Sequence, residues 1–174
     1  MATHIALLRA VNVGGTGKLP MAKLKTMCVK AGFENVQTYI ASGNVLLDSE
    51  RKAATIKTTL EGALEAYAGK PVGVFVLNQS DLVDIRDANP FSQAPGNRVM
   101  VTFMDGPVSE QILEGVKNRK NEDIRLGGSV LYTYYPDGMR QSKLIIPAAK
   151  TGTSRNMNTV TKLAELAAAR HITG

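Results

Sequence analysis

Residues 36–48 read VQTYIASGNVLLD, two apolar runs separated by Ser42-Gly43-Asn44. The first run, VQTYIA (36–41), and the second, VLLD (45–48), are rich in the residues that strands favour. Small polar residues with a glycine between two such runs are typical of a tight turn, so the segment predicts a β-hairpin. The segments on either side decide which fold contains this hairpin.

The segment upstream of the hairpin predicts a strand followed by a helix. IALLRAVNV (5–13) is apolar and rich in β-branched residues and stops at Gly14-Gly15, as a buried strand does. Pro20 then suits the first position of a helix, where a missing N–H costs nothing. Apolar residues recur at helical spacing after it, at Met21, Leu24 and Cys28.

The segment downstream predicts a second helix over residues 51–67 and, after Pro71, a strand over VGVFVLN (72–78). The order up to residue 80 is therefore β-α-β-β-α-β. This is the order of a ferredoxin-like α+β sandwich, in which two helices cover one face of a four-stranded antiparallel sheet.

The second half also predicts an α+β arrangement, and we set the subdomain limits at 1–80 and 81–174, packed as one compact unit. Its expected elements are a helix over 80–88, a strand over 97–105, a helix over 109–117, a hairpin over 124–136 that turns at Gly127-Gly128, and a C-terminal helix from Asn156 to His171.

Composition places the chain among globular cytoplasmic proteins. It has 174 residues, of which 44% are hydrophobic and 21% charged. No apolar stretch is long enough to span a bilayer, so we expect no membrane association. The one cysteine, Cys28, suits a reducing compartment, and its place on the apolar stripe of the first helix predicts a core residue.

The net charge of +6 is concentrated near the C-terminus. Residues 138–174 contain six lysines and arginines against Glu165 alone, whereas the rest of the chain is nearly balanced. Such a positive segment attracts anions, although a solvated basic helix explains it equally well.

The loop NVGGTGKLP (12–20) contains neither of the two glycine-rich phosphate-binding motifs that it suggests. Asn12 and Leu19 stand where a P-loop needs glycine and a hydroxyl, and Pro20 stands at the third glycine of GxGxxG. A glycine turn followed by a helix start and Lys18 still favours an anion. The alternative is a crossover that needs glycine only for its geometry.

Two further polar clusters lie at SGN (42–44) and TGTSRNMNT (151–159). In the second of these, Ser154, Asn156 or Asn158 could cap the last helix. Conventional catalytic groups are sparse, because the two histidines, His4 and His171, lie at opposite ends of the chain. We therefore predict no metal site and no cofactor.

Several segments in order resemble the bacterial domain-of-unknown-function family 1697: LLRAVNVGG, KLPMAKLK, GFENVQTYIASGNVLLDS, PDGMRQSKL and TSRNMNTVTKLAEL. Members of that family usually read LLRGINVGG and RNWNTV, where this chain has Ala10, Val11 and Met157. The resemblance implies an α+β fold with a ferredoxin-like part and no established activity. It also implies a set of polar site positions: Arg9, Asn12, Gly14, Gly15, Lys18, Ser42, Gly43, Asn44, Ser142, Lys143, Arg155, Asn156 and Asn158.

Three functions remain open on the sequence. The first is a binding module in which the glycine loop, the SGN turn and the TSRN helix start surround a phosphate-containing ligand such as a nucleotide or nucleic acid. The second is a metal-independent phosphate-ester or acyl-phosphate hydrolase that uses arginine and asparagine. The third is a protein-interaction domain in which the polar residues are caps and turns.

Overall fold

The computed structural model describes residues 1–9 and 18–170. These residues form two compact units. One comprises the described residues up to Leu82 together with those from Leu163 onward, and the other is Val83–Lys162.

The first unit contains a four-stranded antiparallel sheet. Its strands are β1 (Ala2–Leu8), β2 (Glu34–Tyr39), β3 (Asn44–Ser49) and β4 (Val74–Asn78), in the order β2-β3-β1-β4. The central strand β1 pairs antiparallel with β3 on one side and with β4 on the other. The predicted hairpin forms β2 and β3, and the ferredoxin-like β-α-β-β-α-β order is confirmed.

Two helices, α1 (Met21–Lys30) and α2 (Ala53–Ala68), contribute to the core on one face of this sheet. Cys28 is fully buried in that core, as predicted, and burial raises the pKa of its thiol to about 12. The thiol is therefore protonated at neutral pH. Pro20 differs from the prediction: it precedes the first helical residue and has an extended backbone, with ψ of 137°.

The opposite face of the first sheet is buried as well. Alternation along the paired strands places Ile5, Leu7 and Leu46 on this face, and all three are fully buried. A strand buried on both faces has few polar positions, which explains the continuous apolar run of β1. Arg170 reaches this face, where its guanidinium lies 3.1 Å from Asp48 Oδ1.

The second unit has its own four-stranded antiparallel sheet. Its strands are β5 (Val99–Phe103), β6 (Asp123–Gly127), β7 (Val130–Tyr134) and β8 (Thr153–Asn156), in the order β6-β7-β5-β8. The hairpin predicted over 124–136 is confirmed as β6 and β7. Two helices, α3 (Gln79–Asp87) and α4 (Met157–Ala169), each begin in one unit and end in the other.

The prediction of a helix over residues 109–117 is wrong. Residues Glu110–Leu113 form one short 3-10 turn, and Gly115 then takes a φ of +75°, which a right-handed helix does not allow. Lys117 instead pairs with Ile145 through two backbone hydrogen bonds of 2.9 and 3.0 Å. No helix within the described residues is long and apolar enough to cross a membrane.

Candidate functional site

Three segments of the first unit lie side by side at one end of its sheet. The backbone N–H of Leu8, at the end of β1, donates to the carbonyl of Gly43 at 2.8 Å. The next N–H, of Arg9, donates to the carbonyl of Gly73 at 2.9 Å. The end of β1 therefore adjoins both the SGN turn that precedes β3 and the loop that precedes β4.

The start of α1 lies toward the same end of the sheet. Helix α1 finishes at Lys30, four residues before β2 begins at Glu34, and Glu34 pairs with β3 at the end of the sheet where β1 begins. Ten helical residues extend about 15 Å back along the sheet. Lys18 is exposed and precedes this helix start, where Pro20 gives no side-chain cap and the first turn holds no acidic residue.

The SGN turn is held together by its own side chains. Asn44 is fully buried, and its Nδ2 donates to the carbonyl of Tyr39 at 3.0 Å and to Ser42 Oγ at 2.9 Å. Gly43 has a φ of +87°, a region that favours glycine. Ser42 and Asn44 thus fix the shape of the turn beside Arg9.

The segments that meet at this end carry basic side chains. The carboxylate of Glu61 reaches the same end from α2, where its Oε2 accepts the backbone N–H of Val74 at 3.2 Å and is paired with Lys57 at 3.0 Å. Arg9 is exposed, and its Cβ and Cδ lie 3.6 Å from the position that a Cβ on Gly73 would occupy. Lys70, in the loop before β4, is exposed too. Residues 9–20, 40–43 and 69–73 contain no aspartate or glutamate. We call Arg9, Lys18, Lys70 and the SGN turn the basic sheet end.

Sequence reasoning missed Lys70, although a signal for it was available. The first acidic residue of the chain is Glu34, and five basic residues precede it. The ferredoxin-like strand order places the loop of Lys70 beside Arg9. A count of charged residues in each loop then shows that both segments are basic.

Among the site residues expected in the second unit, Arg155 is buried. It lies in the edge strand β8 with 6% of its surface exposed. Its Nη1 donates to Thr153 Oγ1 at 2.7 Å and to the carbonyl of Ser154 at 2.9 Å. Burial lowers the pKa of its guanidinium to about 10, so the side chain still carries its charge at neutral pH.

The other three site residues expected in the second unit have different structural settings. Asn156 caps α4, because its Oδ1 accepts the backbone N–H of Thr159 at 2.9 Å. Asn158 is exposed, and its Oδ1 lies 2.0 Å from the position that a Cβ on Gly96 would occupy. Lys143 is exposed and follows Ser142.

Asn12, Gly14 and Gly15 lie outside the described residues. Arg9, Ser42 and Asn44 are brought together, with Lys18 near the same end of the first sheet, whereas Lys143, Arg155, Asn156 and Asn158 belong to the second unit. The expectation that all three polar clusters share one cleft stays a prediction.

The second unit also contains a cavity of about 400 Å³. Glu122 lines it and is 5% exposed. Its Oε1 accepts the backbone N–H of Lys120 at 2.6 Å, and its Oε2 accepts the hydroxyl of Ser142. The hydrogen bond from Ser142, followed by the one from Lys120, lowers the pKa of Glu122, so this carboxylate is ionised at neutral pH.

Comparison with known proteins gives a family and a fold. Residues 1–132 match the family model described as protein of unknown function (DUF1697). The solved structure of conserved bacterial protein SP0830 from Streptococcus pneumoniae is similar, with a TM-score of 0.76 and 22% sequence identity, over 95% of this chain and 98% of that one. A search of curated proteins gives no match.

Proposed function

The chain belongs to the DUF1697 family of proteins of unknown function, and we propose that it is a binding module for a phosphate-containing ligand, held at the basic sheet end. The observation that carries this proposal is that Arg9 adjoins the loop that contains Lys70, with Lys18 before the helix start toward the same end. The carboxylate of Glu61 at this end is already paired with Lys57 at 3.0 Å. Three cations at one end of the sheet give a net positive field, which raises the local concentration of anions.

The start of α1 adds to this field. The N-terminus of a helix carries a partial positive charge from its unpaired amides, and phosphate groups bind at such termini. Here the helix has no side-chain cap and no acidic residue in its first turn. The acidic residue nearest in sequence before the loop of Lys70 is Glu65, and Glu61 accepts the backbone N–H of Val74 directly after that loop.

An organic phosphate suits this end better than free phosphate does. Tyr39 ends β2 directly opposite Asn44, and the next residue, Ile40, has 51% of its surface exposed. A half-buried aromatic ring and an exposed aliphatic side chain beside basic loops offer an apolar surface to a base. We therefore expect a nucleotide or a short nucleic-acid strand to bind more tightly than inorganic phosphate.

Titration with mononucleotides and short single-stranded oligonucleotides, at low and at high salt, tests the proposal. We expect saturable binding that weakens as salt rises. Arg9→Gln and Lys70→Gln should each weaken it about tenfold, because each removes a charge-assisted contact. Lys30→Gln is the matched control, since Lys30 is exposed in the last turn of α1, toward the opposite end of the sheet.

Two results would contradict the proposal. One is the absence of salt-sensitive binding by every probe. The other is an equal loss of affinity in the Lys30 variant, because binding would then follow total charge and not this end of the sheet. Release of phosphate from the bound probe, surviving a chelator and lost in Arg9→Gln, would favour the hydrolase instead.

A further inference from the structure

The cavity of the second unit differs chemically from the basic sheet end. Its charged lining residues are Lys120, Glu122 and Asp137, one cation and two carboxylates. A cavity of about 400 Å³ falls within the usual range of small-molecule sites. Since the protein as a whole is basic, a cavity with more carboxylates than cations is an exception to its charge pattern.

The carboxylate of Glu122 is fixed in position. Its Oε1 accepts the backbone N–H of Lys120 and its Oε2 accepts the hydroxyl of Ser142. The Ser142 oxygen also accepts the backbone N–H of Leu144 at 3.1 Å, so its own hydrogen is directed to Glu122. Because a carboxylate has about four acceptor sites, the group keeps capacity for a further donor.

Asp137 supplies the second carboxylate of the cavity lining. It is exposed, and its Oδ2 accepts a hydrogen bond from Asn121 Nδ2 at 2.6 Å. Lys120 supplies the opposite charge, and its ammonium acts on Glu122 through space, which contributes to the lowered pKa of that carboxyl. The lining thus offers acceptors for a cation and one donor for an anion within the same small volume.

We propose that this cavity binds a small zwitterion of the amino-acid type, whose ammonium group is held by Glu122 and Asp137 and whose carboxylate is held by Lys120. A primary ammonium has three donors and no acceptor, which matches two carboxylates that can accept further hydrogen bonds. Neither a purely anionic nor a purely cationic ligand would satisfy both kinds of lining group.

Calorimetric titration of the full chain with a panel of free amino acids tests this inference. We expect at least one amino acid to bind, its N-acetylated form to bind about tenfold more weakly, and its carboxamide to lose several-fold, since each lacks one of the two charges. Asp137→Asn should reduce affinity about tenfold. Asp105→Asn, at an exposed position of the same unit outside the cavity, should leave it unchanged.

Glu122→Gln tests the buried carboxylate directly. That variant also weakens the hydrogen bond between Glu122 and Ser142, which joins two loops. Asp137 is exposed, so Asp137→Asn keeps the test valid if the Glu122 variant does not fold. The inference is overturned if no amino acid binds, if the N-acetylated form binds equally well, or if Asp137→Asn and Asp105→Asn behave alike. The nucleotide titrations above are independent of all three results.

Discussion

Arg170 and Asp48, 122 residues apart in the chain, form an ion pair with Nη1 3.1 Å from Oδ1. Both side chains have only 13% of their surface exposed. Asp48 also accepts hydrogen bonds from the Thr3 hydroxyl and from Asn35 Nδ2, each at 2.7 Å. This cluster ties the residue after α4 to β1 and β3 of the first sheet.

Removal of Arg170 should therefore destabilise the first unit. We expect Arg170→Met to lower the free energy of unfolding by about 1–3 kcal/mol, because a largely buried carboxylate loses its charged donor. Urea denaturation measures this change. Arg140→Met, at an exposed position, should cost less than about 0.5 kcal/mol, and equal effects of the two substitutions would show that the pair contributes nothing.

We expect His4 to make the stability of the first unit depend on pH. It is 7% exposed, and its Nδ1 has no hydrogen-bond partner in the part of the chain that the structure describes. Burial lowers the pKa of His4 below its usual 6.5, outweighing the Ser49 backbone and the charge of Asp48, which act to raise it. The unfolded chain thus takes up this proton more readily than the folded one.

A lowered pKa in the folded state means that the contribution of His4 to stability is present above pH 6.5 and is lost as the pH falls below it. We expect urea midpoints of the wild-type protein to decrease from neutral pH toward pH 5, and those of His4→Phe to change less over this interval. If the urea midpoint of His4→Phe falls with pH as steeply as that of the wild-type protein, other titratable groups cause the pH dependence.

Asn156 should contribute to stability whatever the protein binds. Loss of its cap in Asn156→Ala should cost about 0.5–2 kcal/mol, since the N–H of Thr159 loses its acceptor. Asn156→Asp keeps the acceptor and places a negative charge at a helix N-terminus, so it should retain the stability. Thermal unfolding followed by circular dichroism compares the variants, and equal melting temperatures for Ala and Asp would contradict the capping role.

Two glycines should respond to alanine in opposite directions. Gly62 lies inside α2 with nothing within 4 Å of an added Cβ, so Gly62→Ala should raise the free energy of unfolding by about 0.5–1 kcal/mol. At Gly152 an added Cβ would lie 2.5 Å from the carbonyl oxygen of Phe103. Gly152→Ala should therefore lower it by about 1–3 kcal/mol. Denaturant titration measures both changes. An unchanged free energy of unfolding in Gly152→Ala would mean that the backbone of β5 moves away from residue 152 at little cost.

The fold of the first unit was largely predictable because its pattern is strong. The apolar run of β1 and the SGN turn leave little choice of element or order. The strand β8 was not predicted, because TSRN is short, polar and adjacent to a helix. It forms because β5 provides its partner, with Thr102 and Ser154 hydroxyls 2.8 Å apart across the pair. Such tertiary pairing overrides local preference.

The candidate site was predictable only in part for a similar reason. Ser42-Gly43-Asn44 was identified because it is a polar turn between two apolar runs, whereas Arg9 entered as a site position through the family resemblance. Glu122 and Asp137 were not, because their meeting in one cavity depends on how the residues around β6 and β7 fold back. Ser142 entered only through the family resemblance, and its bond to Glu122 could not be derived from spacing, since twenty residues separate the two.

The division of the chain has a consequence for its synthesis on the ribosome, where proteins often fold one unit at a time. The second unit has all of its residues once Lys162 has been added, but the first unit still needs those from Leu163 onward. The ion pair between Asp48 and Arg170 therefore forms only after the second unit has been synthesised. A released chain that ends at Lys162 would contain every residue of the second unit but lack the Asp48–Arg170 pair, so its first unit should be more sensitive to protease.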